Sequence, residues 1–67
     1  MLLTKREEEV VRTFSETLVD NKSIGEILHV SEQTVKNHLS SAYRKIGVSN
    51  RTQLVQWYYK KQMKERT

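Results

Sequence analysis

Residues 31–38, Ser-Glu-Gln-Thr-Val-Lys-Asn-His, carry the side-chain types that read nucleic acid. Laid out at roughly 100° per residue, the segment from Gln33 to Ile46 divides into two faces. Val35, Leu39, Ala42 and Ile46 fall in a narrow apolar stripe suited to a core. Gln33, Lys36, Asn37, Ser40 and Arg44 fall opposite, and every one of them can donate hydrogen bonds. Amides, a hydroxyl and cations without a carboxylate suit base edges and phosphate oxygens better than plain solvation. A solvated face would mix its charges, whereas the acid of this segment is Glu32, in the first turn, where the helix dipole favours it. Lys36 is the candidate to meet guanine O6 and N7 or a nearby phosphate, and Asn37 to pair bidentately with adenine. Ser40 is short and reaches a base only if the helix sits deep. Gln33, near the helix start, and Arg44, farther along, are placed to meet the backbone, and the free amides of the first turn can hold a phosphate. His38 lies at the edge of the apolar stripe, where a structural role competes with a phosphate contact.

Other chemistries find less support. The chain has 67 residues, enough for one small domain, and no cysteine, so neither a disulfide nor a thiolate metal site can form. Its two histidines are not arranged as a zinc site, and no cofactor is called for. There is no nucleophile–base arrangement and no glycine-rich phosphate loop, and the polar set lies on a convex helix rather than in a cleft, so an enzyme is not expected. The opening Met-Leu-Leu-Thr-Lys-Arg is no signal peptide, and no stretch approaches the length of a membrane span. A formal net charge of +4 suits an acidic partner but does not by itself identify one.

The elements that must hold this face can be drawn from start and stop signals. With no proline and two glycines, the composition favours an all-α fold. Thr4-Lys5-Arg6-Glu7 fits a capping box ahead of Val10, Val11 and Phe14 at helical spacing. Asp20 or Ser23 can cap a shorter helix with Ile24, Ile27 and Leu28 on one face, and Gly25 within it permits close approach of a neighbour. Ser31 caps the third helix after the short connection His29-Val30-Ser31, which forces a steep crossing, the geometry of a helix-turn-helix. Gly47 can end that helix in the left-handed conformation, with Val48 folding back on Tyr43. Asn50 begins a fourth helix with Leu54, Val55 and Tyr58 on one side and Trp57 and Tyr59 at its flanks. The sequence thus reads as a single compact four-helix domain over 1–67, with helices at about 5–17, 21–28, 32–46 and 51–62.

Leu3-Thr4-Lys5-Arg6-Glu7, Asn21-Lys22-Ser23-Ile24, Val30 through His38, and Arg44-Lys45-Ile46-Gly47-Val48-Ser49-Asn50-Arg51-Thr52 together resemble the LuxR-type helix-turn-helix domain. That family includes NarL-like output domains and stand-alone GerE-type regulators, and the resemblance runs from about Leu3 to Tyr59. It implies a bacterial, cytoplasmic, nucleoid-associated transcription regulator that binds an inverted repeat in double-stranded DNA as a homodimer. The third helix would enter the major groove and the fourth, through Trp57 and Tyr59, would supply the dimer contact. Carried over residue by residue, base contacts fall on Lys36, Asn37 and Ser40, and phosphate contacts on Asn21, Lys22, Thr34, His38 and Lys45. The chain departs from the family pattern in a longer turn between the first two helices, with Leu18 where a capping glycine is common, and in Gly25 where alanine is typical. A complete GerE-like regulator and an output domain of a larger protein both fit. Two rivals remain at this level: a sigma-factor region 4 domain, with RNA polymerase as its partner, and an interaction module that keeps the fold but binds protein.

Overall fold

The computed structural model describes the backbone of residues 3–66 and the side chains of residues 3–61. Four helices follow one another along the chain: α1 (Lys5–Thr17), α2 (Asn21–Leu28), α3 (Glu32–Ile46) and α4 (Arg51–Arg66). The fourth continues past its sequence-based end near residue 62.

Each helix begins where a side chain satisfies backbone amides that have no partner inside the helix. Thr4 Oγ1 accepts from the Glu7 amide at 3.1 Å while Glu7 Oε1 accepts from the Thr4 amide at 2.9 Å, completing a capping box. Asp20, not Ser23, caps α2, accepting from the Ser23 amide at 2.9 Å. Ser31 caps α3 by accepting from the Thr34 amide at 3.0 Å, and Asn50 does the same for the Gln53 amide at 2.9 Å. The first three helices end on left-handed residues: Leu18 at φ 56°, His29 at φ 61° and Gly47 at φ 82°. At Gly47 the amides of Gly47 and Val48 both reach the Tyr43 carbonyl, at 2.9 and 3.1 Å, closing a Schellman turn.

The core is built from Leu3, Val10, Val11, Phe14, Ile24, Val35, Leu39, Ala42, Leu54 and Tyr58. Helix α1 packs against each of the other three, and α2 packs on α3 to make the helix-turn-helix. Val35, Leu39 and Ala42 are buried as the apolar stripe requires, and Ile46 packs half-buried at its end. Ile27 departs from expectation. It is 51% exposed, because the buried arc of α2 runs from Ile24 through half-buried Leu28 to Gly25, and Ile27 lies on the other side of Ile24 from that arc. Gly25 serves close approach, but to a turn rather than a helix: a Cβ there would lie 2.6 Å from the Val30 carbonyl oxygen. The same turn is tied by the Val30 amide to the Gly25 carbonyl at 2.8 Å. A bare backbone at residue 25 therefore lets α2 sit tightly against the entry to α3 and fixes their crossing.

Two long-range polar contacts brace this arrangement. Lys45 Nζ, near the end of α3, lies 2.7 Å from Glu7 Oε1 at the start of α1. Arg51, at the start of α4, places its guanidinium 4.2 Å from the centroid of the Phe14 ring and donates from Nη2 to the Val19 carbonyl at 3.2 Å. Arg51 thereby ties α4 to the connection between α1 and α2.

Candidate nucleic-acid interface

Helix α3 is held by its buried stripe on α1 and α2, so its other side is free of the core. Gln33, Lys36, Asn37, Ser40 and Arg44 are all exposed there, as the periodicity requires. The first two turns of that face are already organised by pairs one helical turn apart. Lys36 Nζ stands 3.6 Å from Glu32 Oε2, and Gln33 Nε2 donates to Asn37 Oδ1 at 3.1 Å. Both pairs are solvent-exposed, so they bias side-chain direction without locking it.

Asn21, Lys36 and Ser40 come together around a shallow depression whose floor is Phe14, Leu39 and Tyr43. The start of α2 thus adjoins the middle of α3, and a chain of polar groups runs from one helix to the other. Burial pushes the Tyr43 hydroxyl pKa up, so at neutral pH this floor carries no phenolate charge to repel phosphate. Lys22, beside Asn21, is exposed. Thr34 is half-buried, its Oγ1 sharing a 2.8 Å hydrogen bond with Ser31 Oγ, and His38 is half-buried beside the stripe.

Lys45 is placed differently from the rest of the suggested backbone set. It is turned back onto α1, where Glu7 accepts from it, and Lys45, Ser41 and the Thr4 amide together lower the Glu7 pKa to about 2. That carboxylate therefore holds its proton-free form, and Lys45 its partner, throughout the neutral range. The sequence shows Glu7 as half of a capping box but gives no sign of its second partner. A pair separated by 38 positions leaves no periodic signature that could have revealed it. The same holds for Arg51 against Phe14 and Val19.

Trp57 and Tyr59 lie on α4, away from this set, and line a groove with Gln53, Val55, Gln56 and Lys60. Trp57 packs half-buried against the core, with Lys61 Nζ 5.3 Å from its ring centroid. Tyr59 is 44% exposed, stacks edge-on against Tyr58, and donates from its hydroxyl to the Ser15 carbonyl at 3.2 Å. Among the described residues, no cluster of three or more His, Asp or Glu side chains is arranged to hold a metal ion, and no helix is long and apolar enough to cross a membrane.

Comparison with known proteins places this geometry in context. The family model GerE, described as bacterial regulatory proteins of the luxR family, matches residues 1–58. The spore germination protein GerE of Bacillus subtilis (strain 168) is 51% identical over 57 residues, covering 81% of this chain and 72% of that protein. The transcriptional regulatory protein DegU of Brevibacillus brevis is 46% identical over 54 residues, covering 81% of this chain and 22% of its own length. The CsgBAC operon transcriptional regulatory protein of Escherichia coli (strain K12) is 45% identical over 56 residues, covering 84% of this chain and 26% of that protein. The chain therefore spans most of GerE but about a quarter or less of these two longer regulators. No solved structure matches significantly.

Proposed function

Because the chain belongs to the luxR family of bacterial regulatory proteins, a family of DNA-binding transcription regulators and not of enzymes, we propose that the outward face of α3 reads duplex DNA in the major groove. The observation that carries this reading is the exposure, on one side of a helix fixed by its opposite side, of five donors and no acid beyond the first turn. Lys36, Asn37 and Ser40 sit at the centre of that face and contact base edges. Asn21, Lys22, Gln33, Thr34, His38 and Arg44 surround them and contact the backbone, with the α3 amides assisting at its start. Lys45 reaches a phosphate only by leaving Glu7, so its first duty is to hold α3 on α1. Placement at the nucleoid follows from the same activity.

One copy presents few base contacts, and useful specificity then requires two copies on half-sites about one duplex turn apart. Helix α4 supplies the contact between copies through the Trp57–Tyr59 groove, so the operator is an inverted repeat. RNA polymerase enters as a partner of the bound regulator rather than through a sigma-like role, which the family match disfavours.

Selection of binding sites from a random duplex library tests this. The parent chain enriches an inverted repeat, Asn37→Ala loses preference at one base pair in each half, and Trp57→Ala with Tyr59→Ala loses the paired half-sites while its helical circular-dichroism spectrum persists. Recovery of no sequence by the folded parent overturns the reading, and an unchanged repeat from the double variant overturns the dimer face.

A further inference from the structure

Tyr43 carries a hydroxyl that the domain itself does not use. Lys36, Ser40 and Tyr43 follow at spacings of four and three, so they form one row along α3. Tyr43 ends that row about 10 Å beyond Lys36. All three line, with Asn21 at the start of α2, the depression floored by Phe14 and Leu39. The Tyr43 ring packs half-buried against the core. Among the described residues neither its hydroxyl nor the Asn21 amide makes a hydrogen bond. Ser15 Oγ and Arg51 Nε are the buried side-chain atoms left without a partner there, and the Tyr43 oxygen is not one of them, so it is open to solvent.

The charges around the depression favour an anion. Lys36 lines it, and the Arg51 guanidinium lies 4.2 Å from the centroid of the Phe14 ring in its floor. None of the described residues lining it is acidic. Of the acids at its margin, Glu32 stands 3.6 Å from Lys36, and Asp20, next to Asn21, accepts from the Ser23 amide. Burial keeps the Tyr43 hydroxyl protonated at neutral pH, so it is a donor for an anionic oxygen. We propose that the Tyr43 hydroxyl and the Asn21 amide donate together to one backbone phosphate of the duplex, making Tyr43 a further DNA-contacting residue. The inference rests on the proposed seating of α3 in the major groove, and it adds the point at which α2 and α3 grip the same strand. Two neutral donors on one phosphate fix the register of α3 without reading a base.

Tyr43→Phe keeps the ring and removes the oxygen. It retains the melting temperature, because the hydroxyl has no partner within the domain to lose, and weakens binding to the parent's selected duplex about tenfold. The slope of log affinity against log salt stays that of the parent, since a neutral donor releases no counterion. Base preference in library selection also stays, since a phosphate contact carries no sequence information. Replacing the phosphates of that duplex one at a time with uncharged methylphosphonate locates the contact. At one position in each half-site the replacement weakens the parent and erases its advantage over Tyr43→Phe and over Asn21→Ala alike. Equal affinity of the parent and Tyr43→Phe, a shifted base preference, or a Tyr43→Phe penalty that persists on every methylphosphonate duplex overturns the contact while leaving DNA reading intact. Relief of Asn21→Ala at a different phosphate overturns the shared grip. A parent that binds no duplex removes the underlying reading instead, and this inference with it.

Discussion

Glu7 shows how much one side chain carries in a domain this small. It accepts from the Thr4 amide just ahead of α1 and from Lys45, and is buried at 5% exposure, so an uncompensated charge there would be costly. Its pKa, about 2 when folded, stands below the ordinary value of 4.5, which makes folding pH-dependent in a defined direction. A depressed carboxyl pKa contributes stability that is present above the unfolded value and is lost as pH falls through the folded value. The melting temperature should therefore fall between about pH 4.5 and pH 2, and Glu7→Gln should flatten that segment of the profile while lowering stability at pH 7. An equal acid-induced fall in the variant, followed by circular dichroism, would show that another group is responsible. Half of this residue was legible in the sequence. Thr4-Lys5-Arg6-Glu7 announces a capping box because the motif is local, whereas the Lys45 partner depends on how α3 crosses α1.

At the level of elements, local chemistry specified starts better than ends. Thr4, Ser31 and Asn50 sit directly ahead of apolar periodicity and cap as their types require, and Gly47 closes α3 as a glycine should. The end of α1 instead falls on Leu18, a γ-branched residue held at φ 56° with 60% of its surface exposed. Its side chain gains little from packing and its backbone bears the cost of the left-handed region, about 1–2 kcal/mol for a residue with a Cβ. Leu18→Gly should accordingly raise unfolding stability by about 1 kcal/mol in urea titration, and a loss of stability would mean that the Leu18 side chain packs where its exposure denies it. Periodicity misjudged Ile27 because Gly25 turns inward with Ile24, which centres the buried arc of α2 away from Ile27. It identified the α3 stripe well because a long helix repeats its pattern often enough to fix both faces.

For the whole molecule, four helices of 67 residues leave a small core, and the architecture works by making α1 the common support. With α3 fixed from behind by Val35, Leu39 and Ala42 and braced by Lys45 on Glu7, its donor face is carried as a rigid surface. The polar identity of that face was readable in advance, since exposure follows from the period of the stripe. The pairings along it, Gln33 with Asn37 and Lys36 with Glu32, were not assigned in the sequence reading, because spacing permits several partners and side-chain direction selects among them. The adjacency of Asn21 to Lys36 and Ser40 is a property of the α2–α3 crossing, which Gly25 makes tight. The central claim, that this face lies against duplex DNA, is tested most directly by titrating a duplex that carries the selected site with this chain at increasing salt. Each neutralised phosphate contributes about −0.9 to the slope of log affinity against log salt. Lys22 and Arg44 from two copies should give a negative slope of about −4, reduced in Arg44→Ala. Failure of the folded chain to bind that duplex at low ionic strength, or binding indifferent to salt and to Arg44→Ala, would contradict the account.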